Sequence, residues 1–195
     1  LITDRGNGYY QWDGKIYQSD IVRSCIRPKV KAIGKLVAKH VRTSIGPDGQ
    51  KKIEVNPEPY LRFLLEEPNP YMSGQKLQEK LATQLCLNNN AFALIIRDAN
   101  GFATEIYPIT ALSVEAIYDN NATLYLKFVL QNGKSCIYPY ADIIHLRNDY
   151  NDNDIFGSSM SQALKPLMDI ISTTDQGIVK AIKNSGTVQW LLKLT

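Results

Sequence analysis

The stretch 67–109, EPNPYMSGQKLQEKLATQLCLNNNAFALIIRDANGFATEIYPI, decides the fold. It opens with Glu67-Pro68-Asn69-Pro70-Tyr71-Met72-Ser73. Proline at 68 and 70 holds the residue before each one extended, and Ser73 is placed to cap the helix that follows. Leu77, Leu81 and Leu85 recur every four residues, which predicts a helix through Leu87 with one apolar stripe. Leu87-Asn88-Asn89-Asn90 ends it, because asparagine tolerates the left-handed backbone that usually falls to glycine. Ala91–Arg97 then reads as a strand, Arg97-Asp98-Ala99-Asn100-Gly101 as a turn, and Ala103–Tyr107 as the returning strand. A helix feeding an antiparallel hairpin is an α+β unit.

The same punctuation recurs on both sides. Asp13-Gly14, Asp48-Gly49 and Asn132-Gly133 also separate strand-like runs, and such dipeptides predict hairpins with type I′ turns. The paired runs are Tyr9–Trp12 with Lys15–Tyr17, Val37–Ser44 with Ile53–Val55, and Leu124–Leu130 with Lys134–Tyr138. Leu112–Ile117 and Ile143–Arg147 are further strands, and mainly antiparallel pairing is expected. Ser19 is placed to cap a helix from Asp20 to about Lys35, with a stripe of Val22, Ile26, Val30, Ile33 and Leu36 and a bend at Pro28. A short helix is expected over Pro59–Leu65 and a long one from Ser158 to Asn184.

Composition narrows the class. A 195-residue chain with 44% hydrophobic and 21% charged residues can bury a core and is globular. No apolar run approaches the ~20 residues needed to span a bilayer. The chain begins at Leu1 with no leader pattern, so it is expected to be part of a longer protein. Cys25, Cys86 and Cys136 are odd in number and far apart, which fits a reducing compartment. Residues 1–52 hold eleven Lys/Arg against four Asp/Glu, an excess of seven, whereas residues 53–195 hold eleven against fifteen. The excess is spread out, so a solvated face outweighs a nucleic-acid footprint.

Residues that could carry chemistry are sparse. There is no phosphate-binding glycine loop, no nucleophile elbow and no close Cys/His pair for zinc. His145 lies in the apolar run Ile143-Ile144-His145-Leu146 and reads as a neutral, hydrogen-bonded, partly buried ring; Cys86 reads as a small packing residue. Asp149, Asp152 and Asp154 resemble a sparse calcium loop but lack its regular spacing and terminal Glu, so a solvated hinge is expected there. The expectation is no enzyme, no cofactor and no metal site.

In order, the motifs resemble the portal proteins of tailed bacteriophages. Glu67–Ser73, the Asn89-Asn90-Ala91-Phe92 turn, Val22-Arg23-Ser24-Cys25-Ile26-Arg27, Asp142-Ile143-Ile144-His145-Leu146-Arg147 and Gly157-Ser158-Ser159 carry the likeness across roughly 19–186. The family commonly has Gly-Asn-Ala-Tyr at the turn, and Asn-Ala-aromatic is kept here.

The resemblance implies a fold and a role. The fold would be α+β, antiparallel hairpins with packed helices plus a long C-terminal helix: a wing-like body (1–156), a stem helix (157–186) and the first strand of a truncated clip (187–195). The role would be a subunit of a ring, typically dodecameric, at the capsid vertex. DNA would pass through it during packaging and ejection, and the terminase motor, capsid protein and head-to-tail adaptors would dock on it. Its place would be the virion, and the host cytoplasm during assembly, with no membrane. Met160, Leu164, Leu167, Ile171, Thr174, Ile178 and Ala181 form a 3.5-residue seam on the long helix, with any bend at Pro166. Along it, Ile171, Ile178 and Ile182 are candidates for inter-subunit packing, and Lys180 and Lys183 for facing the channel. Rival readings are another virion structural protein, such as a capsid or tail adaptor, and a metal-assisted hydrolase using the Asp149–Asp154 loop with His145.

Overall fold

A computed structural model describes residues 2–3, 9–10, 20–149, 155–158 and 161–185. The elements in chain order are β1 (Ile2–Thr3), β2 (Tyr9–Tyr10), α1 (Asp20–Gly34), β3 (Val41–Ile45), β4 (Lys51–Val55), α2 (Pro59–Glu66), α3 (Gly74–Asn88), β5 (Asn90–Arg97), β6 (Ala103–Ile109), β7 (Ala111–Tyr118), β8 (Leu124–Leu130), β9 (Ser135–Pro139), β10 (Ile143–Arg147) and α4 (Ser161–Ser185). This is the expected α+β class, and every named strand pair is antiparallel. The chain divides into two compact units, Leu1–Ser159 and Met160–Thr195.

Among the described residues the first unit holds three sheets. Strands β1, β7, β8 and β9 are neighbours in that order, with β2 also on β7; β10, β5 and β6 form the second sheet; β3 and β4 form a separate ribbon. Strand β5 organises the core through its alternation. Phe92 and Leu94 face a cluster with Val114, Leu126, Phe128, Ile143 and Phe156, whereas Ala91 and Ala93 face Leu64, Leu77, Leu81 and Ile106 from the helices and β6. The small alanines let α3 approach the sheet, and the large rings fill the space between sheets. Phe92 and Phe128 meet edge to face at 5.4 Å, and Phe128 is fully buried.

Pro68 and Asn69 cover the free edge of β6. Ile106 donates its N–H to the Pro68 carbonyl (2.7 Å), and the buried Asn69 side chain donates to the Ile106 carbonyl (2.7 Å). The α2–α3 corner is equally close, since a Cβ on Gly74 would run into the Leu65 carbonyl. Helix α1 is held to α3 by Glu79, which accepts from Lys31 (2.9 Å), Lys76 (3.0 Å) and Gln75 (3.1 Å). The Lys31 ammonium first, then Lys76, pulls the Glu79 carboxyl down to about 2.

Several local expectations need correction. The hairpin turns are not type I′. At Gly49, Gly101 and Gly133 only the glycine has positive φ, and its N–H closes a four-residue turn on Gly46, Asp98 and Leu130 respectively. Each is a three-residue loop, a type I turn followed by a left-handed residue. The β7–β8 connection uses the same loop with Ala122 (φ 59°) in the left-handed position, so no Asx-Gly pair announces it. Asp119 Oδ1 secures that loop by accepting from the backbone N–H of Asn121 and Thr123, both at 2.8 Å.

Strand β3 begins at Val41, not Val37, because Asn56 closes the ribbon base on His40 through its N–H (2.6 Å) and its Oδ1 (3.2 Å). Ser73 occupies the cap position of α3, yet its side chain makes no capping bond. Helix α4 begins at Ser161 rather than Ser158. The expected Asp13-Gly14 turn, the Ser19 cap, Asp152, Asp154 and the segment 187–195 lie outside the described residues.

The second unit is described through α4, 25 residues and thus roughly 38 Å long at ~1.5 Å per residue. Pro166 lies inside it, and Thr174 Oγ1 donates to the Ile170 carbonyl (2.8 Å). Among the described residues no helix is long and apolar enough to cross a membrane.

Candidate functional site

A run of buried polar side chains lies where α3 passes into β5. Asn88, Asn89 and Asn90 are buried in succession. Buried amides are costly unless bonded, and two of these bond the segment Ile155–Ser158, which precedes α4 in the chain.

Asn89 turns the helix into the strand. Its φ of 54° is left-handed, and its N–H closes on the Leu85 carbonyl, as expected of a helix-ending asparagine. Its Nδ2 donates to the Ser158 carbonyl (2.8 Å) and to Asp149 Oδ2 (3.4 Å), and its own carbonyl accepts from the Asn148 N–H (2.9 Å). Asn90 uses its whole side-chain capacity. Nδ2 donates to the Asn88 and Gly157 carbonyls (3.0 and 2.7 Å), while Oδ1 accepts from the Gly157 N–H (2.8 Å) and lies 3.0 Å from His145 Nε2.

This geometry fixes the histidine tautomer. Asn90 Oδ1 must be the oxygen, because its other amide atom serves two carbonyls. His145 Nε2 therefore carries the proton and donates, and Nδ1 accepts from the Tyr140 hydroxyl at 3.2 Å. The ring stacks on Phe92 at 4.5 Å, with Phe156 5.8 Å away. Burial first, and the nearby Arg147 charge second, push its pKa down to about 4. The neutral, hydrogen-bonded ring read from the sequence is the one found.

Gly157 is required at this point by space. A Cβ there would collide with the carbonyl oxygens of Asn148 and Asn89, which cannot move independently of the backbone. The Ser158 N–H donates to the Asp149 carbonyl (2.9 Å), and Arg147 Nη1 to the Ile155 carbonyl (3.0 Å). The result is a clamp that fastens 155–158 to α3, β5 and β10.

The residues nominated on the long helix all lie on α4. Ile171 is half-buried; Ile178, Ile182, Lys180 and Lys183 are exposed. Asp149 and His145, paired in the hydrolase reading, both belong to the clamp, where Asp149 accepts from Asn89 and Asn148 side chains. Among the described residues no group of three or more His, Cys, Asp or Glu side chains could hold a metal ion. Sequence reasoning treated Asn89, Asn90 and Gly157 as turn and cap residues only. The signal for more was three consecutive amides between Leu87 and Ala91-Phe92, a setting in which each needs a partner.

A family model described as phage portal protein matches residues 20–195. The chain belongs to the phage portal protein family. A portal protein of Enterobacteria phage HK97 is 32% identical over 68 residues, 35% of this chain and 16% of that protein. A chain in the virion of a native gene transfer agent particle shares the fold of this portal-family chain, with a TM-score of 0.60 at 16% identity over 95% of this chain and 49% of that one. A chain in the neck of such a particle, computed with C12 symmetry, gives 0.58 at 16% identity over 94% and 49%. This portal-family chain thus spans about half the length of those solved chains.

Proposed function

We propose that this chain is the body and outgoing helix of a portal subunit, one copy in a closed ring through which double-stranded DNA is packaged and ejected. The carrying observation is the contrast between the clamp and α4. The chain leaves the body through a segment held by buried bonds, then enters a 25-residue helix on which Ile178 and Ile182 stay 52% and 66% exposed. Such a helix suits packing lengthwise on neighbouring copies. In this reading residues 1–156 are the wing-like body, 157–186 the stem and 187–195 the first clip strand. Ile171, Ile178 and Ile182 meet adjacent subunits, and Lys180 and Lys183 face the channel. The terminase motor, capsid protein and head-to-tail adaptors dock on the assembled ring.

DNA contact in a channel is with phosphates alone, so it is independent of sequence and falls steeply with salt. The test is light scattering and electron microscopy on the full-length protein and on residues 1–195. Rings are expected from the former, and monomers or weak association from the latter. A full-length protein that stays monomeric at high micromolar concentration would count against the proposal, as would nanomolar sequence-selective DNA binding at physiological salt.

A further inference from the structure

Strands β3 and β4 pair only with each other, and Arg42 on one face forms an ion pair with Glu58 just ahead of α2. Every residue of both strands is exposed. The register pairs Val41 with Val55, Thr43 with Ile53 and Ile45 with Lys51, so these side chains share one face; Arg42, Ser44, Lys52 and Glu54 share the other. Val41, Ile45, Ile53 and Val55 are 49%, 78%, 60% and 52% exposed. A lone two-stranded ribbon is marginal in water, and a contiguous exposed apolar face marks an interaction site.

A second exposed patch lies on the same body. Tyr60 and Phe63 of α2 and Phe102 of the β5–β6 turn are uncovered, and Tyr60 meets Phe102 edge to face at 5.7 Å. The two patches are complementary in charge. Lys51 stands opposite Ile45 at the ribbon tip, while Glu67 follows Phe63 by one helical turn, and neither has an ion-pair partner among the described residues. One patch is aliphatic with a cation at its edge, the other aromatic with an anion. They do not cover each other within one chain, and two unlike patches that fit one another join copies head to tail, the arrangement that closes into rings.

We propose that the β3–β4 ribbon is an intersubunit arm: its apolar face docks on the Tyr60–Phe63–Phe102 patch of a second copy of this chain, with Lys51 set against that copy's acidic helix end. The inference rests on the ring reading above and names a surface of the body that the ring uses in addition to α4.

The experiment uses the full-length protein with exposed Cys25 replaced by serine. Ile45→Cys and Phe63→Cys are introduced singly and together, and rings are oxidised gently. A covalent ladder is expected from the double variant, and a dimer from a mixture of the two single variants. Lys51→Glu and Glu67→Lys should each reduce the ring fraction several-fold, and the double reversal should restore it. Circular dichroism confirms that the variants are folded, since all four positions are exposed. Rings that form normally, resist oxidation-linked laddering and ignore both charge reversals overturn the arm and leave the ring reading standing. Self-linking of the Ile45→Cys variant alone overturns the head-to-tail contact. A wild-type protein that forms no ring overturns both.

Discussion

Asn90→Leu isolates the clamp. The two side chains are similar in size, so the change removes hydrogen bonds and leaves little void. Asn90 is 1% exposed and makes four side-chain bonds, to the Asn88 carbonyl, the Gly157 carbonyl, the Gly157 N–H and His145 Nε2. Its loss leaves two carbonyls and two N–H groups facing an apolar side chain. A buried bond contributes about 1 kcal/mol net, and an orphaned partner costs ~1–3 kcal/mol, so four bonds with some rehydration amount to about 3–5 kcal/mol. That is a large share of a stability of ~5–15 kcal/mol. Urea unfolding followed by far-ultraviolet circular dichroism measures it, with Asn121→Leu in the exposed β7–β8 turn as a control expected to stay within ~0.5 kcal/mol. A cycle with His145→Phe should be non-additive by at least ~1 kcal/mol, because the two residues share a bond. A loss below about 1 kcal/mol for Asn90→Leu, or strict additivity in the cycle, would refute the clamp as an energetic unit.

Three further outcomes follow from the same geometry. The folded pKa of His145 lies near 4, below the ordinary value of 6.5. The unfolded chain therefore takes up the proton first; its stabilising effect is complete above about pH 6.5 and is lost as the pH falls toward 4, by about 3 kcal/mol at 1.36 kcal/mol per unit. Glu79, held near 2, loses its contribution only below its ordinary 4.5, so urea midpoints between pH 4.5 and 6.5 should flatten in His145→Gln. Gly157→Ala should cost more than ~2 kcal/mol, since the segment must shift off two backbone carbonyls and break the Asn90 bonds; calorimetry showing no change would contradict the packing at that glycine. Ala122→Gly should raise stability by about 0.4–1 kcal/mol in urea titration, because Ala122 pays for a left-handed φ of 59° that glycine adopts freely; a clear loss would count against that turn.

What could be read in the sequence was local. The Leu77-Leu81-Leu85 stripe and the alternation in β5 report which face is buried, and both lie within one element. The Asx-Gly pairs located three described hairpins but not their turn geometry, because the glycine alone takes the left-handed position. The fourth hairpin carried no such pair, since Ala122 fills that position. Sheet order was out of reach. Strand β10 lies beside β5, with His145 opposite Phe92, and no short-range pattern pairs strands so far apart in the chain. The clamp was hidden for the same reason: asparagine announces turns in any sequence, and only the fold reveals that Gly157 lies against Asn89, Asn90 and Asn148.

The Asn90–Gly157 bonds close a loop of 67 residues, and that separation sets a schedule for the chain as it is made. At roughly 5–20 residues per second of synthesis, about 3–13 s pass between the addition of Asn90 and that of Gly157. During that interval the Asn90 side chain has only the Asn88 carbonyl to bond at first, and His145, 55 residues after Asn90, arrives to stack on Phe92 late in it. A nascent chain therefore cannot complete its body before the residues leading into α4 exist. The last fastening thus comes just ahead of α4, whose final residue is Ser185, and a polypeptide interrupted before Gly157 lacks it.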